Sequence, residues 1–172
     1  EVNESLKAMA RLRISTDSFV FPWDRIGHLD VLRQFGFRVI RGPLPDSSRH
    51  FRHIPLVRAG AYFVRDIMRS CLPPALSFPR ESGSLVIIPG SMSFSERPSL
   101  GLDARALLHR SEAGLKKLIR SGGILNVYVH DHNITRSAEL FKAVTTFLAR
   151  AKSYAREGVV GVATMTDFAK PD

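Results

Sequence analysis

The residues best suited to chemistry are four consecutive polar side chains, His130, Asp131, His132 and Asn133, which directly follow the apolar run 124–129. That run predicts a buried strand, and charged groups at its end must lie at the mouth of the fold because burying them costs energy. In an extended chain His130 and His132 point the same way. Two imidazoles on one face can ligate zinc, and one beside a carboxylate can act as a general acid or base. The alternative is that one histidine caps the following helix or bonds to loop backbone.

A second polar group, Pro22, Trp23, Asp24 and Arg25, follows another short apolar run. Trp23 is suited to stacking on a sugar ring, and Asp24 or Arg25 to bonding hydroxyl groups or an acid. Alternatively, this segment is the first turn of a helix, with Asp24 as its cap. Arg41, just before a Gly-Pro pair, is suited to binding a carboxylate or positioning a catalytic acid, or else it pairs with a neighbouring acid. We therefore predict Pro22, Trp23, Asp24 and Arg41 as substrate contacts.

The remaining histidines and the single cysteine favour structural interpretations. His50 and His53 lie in an irregular basic stretch without a nearby acid or third histidine, which indicates a solvated loop. His28 is placed at a helix start and His109 on an exposed helix surface. Cys71 has no evident base partner, so it is interpreted as a small buried apolar residue and not as a nucleophile.

Apolar periodicity predicts strands that alternate with helices along the chain. The predicted strands are 18–21, 37–40, 85–88, 124–129 and 159–163. The predicted helices are 4–12, 28–35, 58–70, 102–121, a long helix capped by Thr135 that Gly158 closes, and a short one from 166 to 169. The segments 72–84 and 91–101 are predicted as surface loops. This alternation favours parallel strands covered by helices, as a doubly wound sheet or part of a barrel, with chemistry at the carboxyl ends of the strands.

Composition excludes several classes of function. Lys and Arg outnumber Asp and Glu by 25 to 16, but the charge is scattered, without a long basic run, zinc-finger spacing or aromatic RNA-binding motif. Nucleic acid is therefore not the expected partner. No apolar stretch is long enough to span a membrane as a helix. The sequence has no glycine-rich phosphate loop and no Gly-x-Ser-x-Gly elbow, and its one cysteine leaves no internal disulfide.

Six short motifs, taken in order, resemble bacterial polysaccharide deacetylases, the carbohydrate esterase group with a nodulation-type deacetylase domain. They lie at 18–22, 27–32, 35–42, 88–92, 129–133 and 162–169, so the resemblance covers nearly the whole chain. It implies an α/β fold that is part of a distorted (β/α) barrel with parallel strands. It also implies removal of acetyl groups from N-acetylated sugars or glycans, where a water bound to a divalent, zinc-like metal attacks the amide carbonyl.

The resemblance also assigns roles to individual residues. His130 matches the late histidine that protonates the leaving amine. Pro22 matches the proline of the family's middle motif, whereas Trp23 stands where related sequences often carry a basic residue. Arg41 follows the next strand, where the family often orients its catalytic groups. The loop carrying Asp131, His132 and Asn133 is then expected to contact the substrate.

The family's metal-binding motifs, an Asp-Asp pair and a His-x-x-x-His, do not occur in this sequence. We therefore expect residues 1–172 to be the C-terminal portion of one catalytic domain, without its N-terminal metal-binding portion and inactive in isolation. Strand edges left open by such a division would be covered by a preceding segment or by a second copy of the chain. Two alternatives stay open: a non-catalytic glycan-binding module, and a basic protein that interacts with nucleic acid.

Overall fold

The computed structural model describes residues 2–14, 16–22, 25–43, 72–98 and 101–169. The chain divides into two compact units. One, the sheet unit, comprises Glu1–Pro43, Pro79–Pro89 and Ala163–Asp172, and the other, the helical unit, comprises Leu44–Phe78 and Gly90–Val162. Both mix helices with mainly parallel strands, as the alternation in the sequence predicts. Among the described residues, no helix is long and apolar enough to cross a membrane.

The sheet unit is built on a four-stranded sheet. Its strands are β1 (Ser18–Val20), β2 (Val39–Gly42), β3 (Arg80–Ser82) and β4 (Leu85–Pro89). Their order is β1-β2-β4-β3, with β1, β2 and β4 parallel and β3 antiparallel to β4. Helices α1 (Val2–Arg11) and α2 (Leu29–Gln34) and a 3-10 helix (Thr166–Phe168) also belong to this unit.

Apolar side chains from α2 and the sheet form the core of this unit. Leu32 of α2, Ile40 of β2 and Leu85 of β4 are buried together. α2 ends where the sequence predicts, because Gly36 adopts a left-handed φ of 79° that residues with a Cβ rarely adopt. His28 precedes α2 as its N-cap residue, which confirms its placement at a helix start.

An ion pair joins the amino ends of β1 and β2. Arg38 donates from Nε and Nη2 to Oδ2 of Asp17, and the backbone oxygen of Asp17 accepts from the amides of Arg38 and Val39. The hydrogen bond from Arg38 holds the pKa of Asp17 below its ordinary value, and a hydrogen bond from Thr166 acts in the same direction. These contacts lie at the opposite end of the strands from the predicted chemistry, so we interpret them as structural.

In its described residues, the helical unit contains two short parallel strands and three helices. These are β5 (Met92–Ser93), β6 (Val127–Tyr128), α3 (Ala104–Ser121), α4 (Asp131–Arg136) and α5 (Ala138–Arg156). Both long helices have side-chain caps: Asp103 accepts from the amide of Ala106, and Ser137 from that of Leu140. The core of this unit is one apolar cluster, to which β5, the residue after it and both long helices contribute. Its buried members include Met92, Phe94, Leu107, Leu115, Leu140 and Phe147.

Several predicted elements differ from the structure. The predicted loop 72–84 contains β3, whose exposed polar side chains gave no apolar signal, and the hairpin turns at Gly83 with a φ of 60°. The predicted loop 91–101 contains β5, which is too short for a periodic pattern. The predicted strand 124–129 is reduced to β6 and an isolated bridge between Ser77 and Ile124.

Two further predictions were wrong for identifiable reasons. Segment 159–163 is not a strand, because its apolar residues are not buried: Val159 is 47% exposed and Val162 is 73% exposed. Thr135 does not cap the long helix. It lies inside α4, where its hydroxyl donates to the carbonyl of Asp131, and Ser137 is the cap. The predicted helix 58–70, His50, His53 and Cys71 lie outside the described residues. No closed barrel is formed by the strands of the described ranges.

Candidate functional site at the end of β6

His130 lies two residues beyond β6 and is the N-cap residue of α4. Its backbone is extended, with φ −89° and ψ 140°, and its side chain makes no capping hydrogen bond. The backbone closes the turn instead, because the amide of Asn133 donates to the carbonyl of His130 at 3.0 Å. The imidazole is exposed to solvent. The helix-capping role considered for this side chain is therefore not the one that the structure has.

Two aromatic rings contact the ring of His130. The rings of His130 and His132 are stacked, with centroids 5.3 Å apart and planes inclined by 12°. The ring of Tyr128 meets that of His130 in a T-shaped arrangement, with centroids 6.0 Å apart and planes inclined by 78°. The sequence predicted that both histidines point the same way along an extended strand. They are neighbours for another reason, because the first turn of α4 brings His132 back beside His130.

Asp131 is almost fully exposed, with 97% of its side chain accessible to solvent. Its Oδ1 accepts from the backbone amide of His132 at 2.8 Å and lies 3.6 Å from Nδ1 of the same residue. The longer distance exceeds that of a hydrogen bond. Asp131 therefore supports the first turn of α4 and does not orient the imidazole of His132 through a direct bond.

Asn133 turns toward the segment that follows β5. Its Nδ2 donates to Oγ of Ser95 at 2.9 Å, and Oγ of Ser95 lies 3.2 Å from Oγ of Ser93. Sequence reasoning missed both serines. They lie in a segment predicted as a loop, and serine carries no signal by itself, so only the pairing of β5 with β6 reveals their place beside the histidines.

The histidines in this arrangement do not fit a metal centre. The lone pair of an imidazole nitrogen lies in the plane of its ring, so the lone pairs of two nearly parallel rings run alongside each other and do not converge on one ion. In the part of the chain that the structure describes, no three His, Cys, Asp or Glu side chains form a group that could hold a metal.

The other predicted substrate contacts belong to the sheet unit. Arg41 lies inside β2, opposite Val20 of β1 and Ile88 of β4, and not after the strand as predicted. It is half-buried because β2 extends to Gly42. Pro22 is exposed and follows the end of β1. Trp23 and Asp24 lie outside the described residues.

Comparisons of this chain with protein-family models, with curated proteins and with solved structures each found no match.

Proposed function

We propose that this chain is part of a hydrolase that removes acetyl groups from N-acetylated sugars of a glycan, with His130 as the general acid. The observation that supports this proposal best is the exposed imidazole of His130, which contacts the rings of Tyr128 and His132 just beyond a strand end. Carboxyl ends of parallel strands are where α/β enzymes place their chemistry. The motif order described above supplies the substrate class.

The role of His130 follows from the chemistry of amide hydrolysis. After water has added to the carbonyl carbon, the C–N bond breaks readily only if the nitrogen takes up a proton. An imidazolium positioned beside that nitrogen supplies the proton and becomes neutral as the amine departs. Tyr128 and His132 limit the orientations of the ring, which keeps its N–H directed to one place.

The proposal extends to the fold and the substrate contacts. We infer that the parallel strands are part of a distorted (β/α) barrel of the nodulation-deacetylase type. The resemblance also supports Pro22, Trp23, Asp24 and Arg41 as sugar contacts, and separately Asp131, His132 and Asn133. The resemblance also implies a divalent metal. Since the described residues do not fit one, no step of this proposal depends on it.

The test is acetate release by the complete natural protein from N-acetylated oligosaccharides in the presence of divalent cations. His130→Ala should lower kcat about 10²- to 10⁴-fold, the range typical of general acid catalysis. His109→Ala is the matched control, because His109 is an exposed histidine on α3, and it should leave the rate unchanged. Absence of release by the complete protein, or a fully active His130→Ala variant, would refute the proposal. Binding of the oligosaccharide without turnover would favour the glycan-binding alternative, and steeply salt-dependent binding to random DNA would favour the nucleic-acid one.

A further inference from the structure

Three polar side chains connect β5 and the segment after it to the helix that carries His132. Nδ2 of Asn133 donates to Oγ of Ser95 at 2.9 Å, and the hydroxyl of Ser95 lies 3.2 Å from that of Ser93. All three residues are half-buried. Hydrogen bonds in such surroundings are less exposed to competition from water than those on an open surface. We refer to Ser93, Ser95 and Asn133 as the serine–asparagine network.

The network acts on both neighbours of the His130 ring. The first neighbour is Tyr128: Ser93 pairs in register with it, and the amide of Phe94 donates to its carbonyl at 2.9 Å. The second neighbour is His132, which lies in the first turn of α4 together with Asn133. The backbone amide of Asn133 also bonds to the carbonyl of His130. The same short segment therefore fixes Tyr128 through its backbone and α4 through its side chains.

We infer that Ser93, Ser95 and Asn133 are positioning residues, which set the stacking of His132 on His130 and hence the direction of the His130 N–H. The assignment of a catalytic consequence rests on the proposed function. Such a tie matters for α4 because the helix is only six residues long and its N-cap side chain makes no capping hydrogen bond. The geometric part of the inference concerns only the imidazole pair and stands without any activity.

The first measurement is the NMR spectrum of the histidine rings in the complete protein. His130→Ala removes one ring of the stack and gives a reference for how far the His132 ring signals move when stacking is lost. Ser95→Ala and Asn133→Leu should each move the His132 signals by at least half as much. Ser95→Thr keeps the hydroxyl and should leave the signals near their wild-type positions. Ser121→Ala, at the exposed end of α3, is the control for a serine outside the network.

The second measurement is steady-state kinetics with an N-acetylated oligosaccharide. Ser95→Ala and Asn133→Leu should lower kcat about 10-fold, the equivalent of one misplaced hydrogen-bonded group. For Ser95→Ala, which lies outside the proposed sugar-contacting loop, KM should change less than about 2-fold. Ser95→Thr should recover most of the rate. A variant that merely unfolds would lose the signals of the apolar core together with those of the histidines, and Ser95→Thr then provides the test.

The two measurements separate the inference from the proposed function. If the complete protein releases no acetate, the proposed function fails, and the ring signals still decide whether the network sets the stack. If Ser95→Ala and Asn133→Leu fold and leave the His132 signals at their wild-type positions, the positioning role is overturned. If both variants move the His132 signals and retain the wild-type kcat, the consequence of the network for catalysis is overturned, while its effect on the ring stack is supported.

Discussion

The imidazole of His132 lies over that of His130, with ring centroids 5.3 Å apart and ring planes 12° apart. This separation is within the range at which aromatic rings stabilise each other by offset stacking. The two residues reach this position from different conformations, since His130 is extended and His132 lies in the first turn of α4. The contact uses the flat face of His132 and not its charge. His132 therefore supports its neighbour in a way that another flat ring can reproduce.

This relationship makes the shape of residue 132 more important than its ionisation. We predict that His132→Phe keeps most of the acetate-releasing activity. His132→Ala should lower kcat about 10-fold, because the ring of His130 loses its stacking partner. The measurement is kcat and KM for both variants with the same N-acetylated oligosaccharide. A His132→Phe variant as impaired as His132→Ala would instead show that an imidazole nitrogen of His132 takes part.

The N-cap of α5 gives a prediction that is independent of function. Oγ of Ser137 accepts from the amide of Leu140 at 3.1 Å, and the hydroxyl of Thr135 donates to a carbonyl within α4. Ser137→Ala should lower the free energy of unfolding by about 1 kcal/mol, as expected for loss of an N-cap. Thr135→Ala should change the free energy of unfolding by no more than a few tenths of a kcal/mol. Urea denaturation of both variants checks this, and equal effects would contradict the assignment of the cap.

Thr135 and Ser137 also illustrate how much of the structure can be predicted from the sequence. The apolar stripe of α5 predicted the helix, but both Thr135 and Ser137 are acceptable caps, and only the separate turn of α4 decides between them. Segment 159–163 has the apolar composition of a strand, yet Val162 is largely exposed. Composition reports what a residue prefers, whereas a strand also requires a neighbour with which to pair.

The residues of the candidate site differ in the same way. The position of His130 just beyond a strand was predictable, because an apolar run ending in polar residues indicates a strand end. Ser95 was not, because its significance depends on a contact with Asn133, 38 residues further along the chain. The pairing of β5 with β6 creates that proximity, and strands of two residues are too short to be recognised from a periodic pattern.

Gly114 in the middle of α3 allows a close approach between the helix and its surroundings. A Cβ at this position would lie 3.0 Å from Cδ1 and 3.2 Å from Cδ2 of Leu125, and 3.2 Å from Cδ of Pro74. Alanine normally stabilises a helix interior by up to about 1 kcal/mol relative to glycine. We predict the opposite sign for Gly114→Ala, with a loss of about 1–3 kcal/mol, because the added methyl overpacks the contact.

The background of Leu125→Ala tests this cause. Removing the leucine methyl groups should make Gly114→Ala cost less than it does in the wild-type chain, which a double-mutant cycle of unfolding free energies measures. If Gly114→Ala stabilises the protein, or costs the same in both backgrounds, Leu125 does not limit the space at Gly114.

The ion pair between Asp17 and Arg38 predicts a dependence of stability on pH. Both donors of Arg38 reach one carboxylate oxygen, and the pKa of Asp17 is held below its ordinary value. A carboxyl group with a lowered pKa in the folded state stabilises the fold above its unfolded pKa, near 4, and loses this contribution as the pH falls through its folded pKa. Asp17→Asn should therefore be less stable than wild type at pH 7, by about 1 kcal/mol since the pair is partly exposed, with 20% of the Asp17 side chain and 36% of the Arg38 side chain accessible.

The difference in the free energy of unfolding between wild type and Asp17→Asn should shrink below about pH 4. It should vanish once the carboxyl group is protonated in both the folded and the unfolded state. Urea denaturation at a series of pH values from neutral to strongly acidic measures it. Glu4→Gln serves as the control, because Glu4 pairs with Lys7 on the exposed surface of α1 and should contribute less than about 0.5 kcal/mol at any pH. A difference that stays constant over the acidic range would show that Asp17 stabilises the amino ends of β1 and β2 through the shape of its side chain and not through its charge.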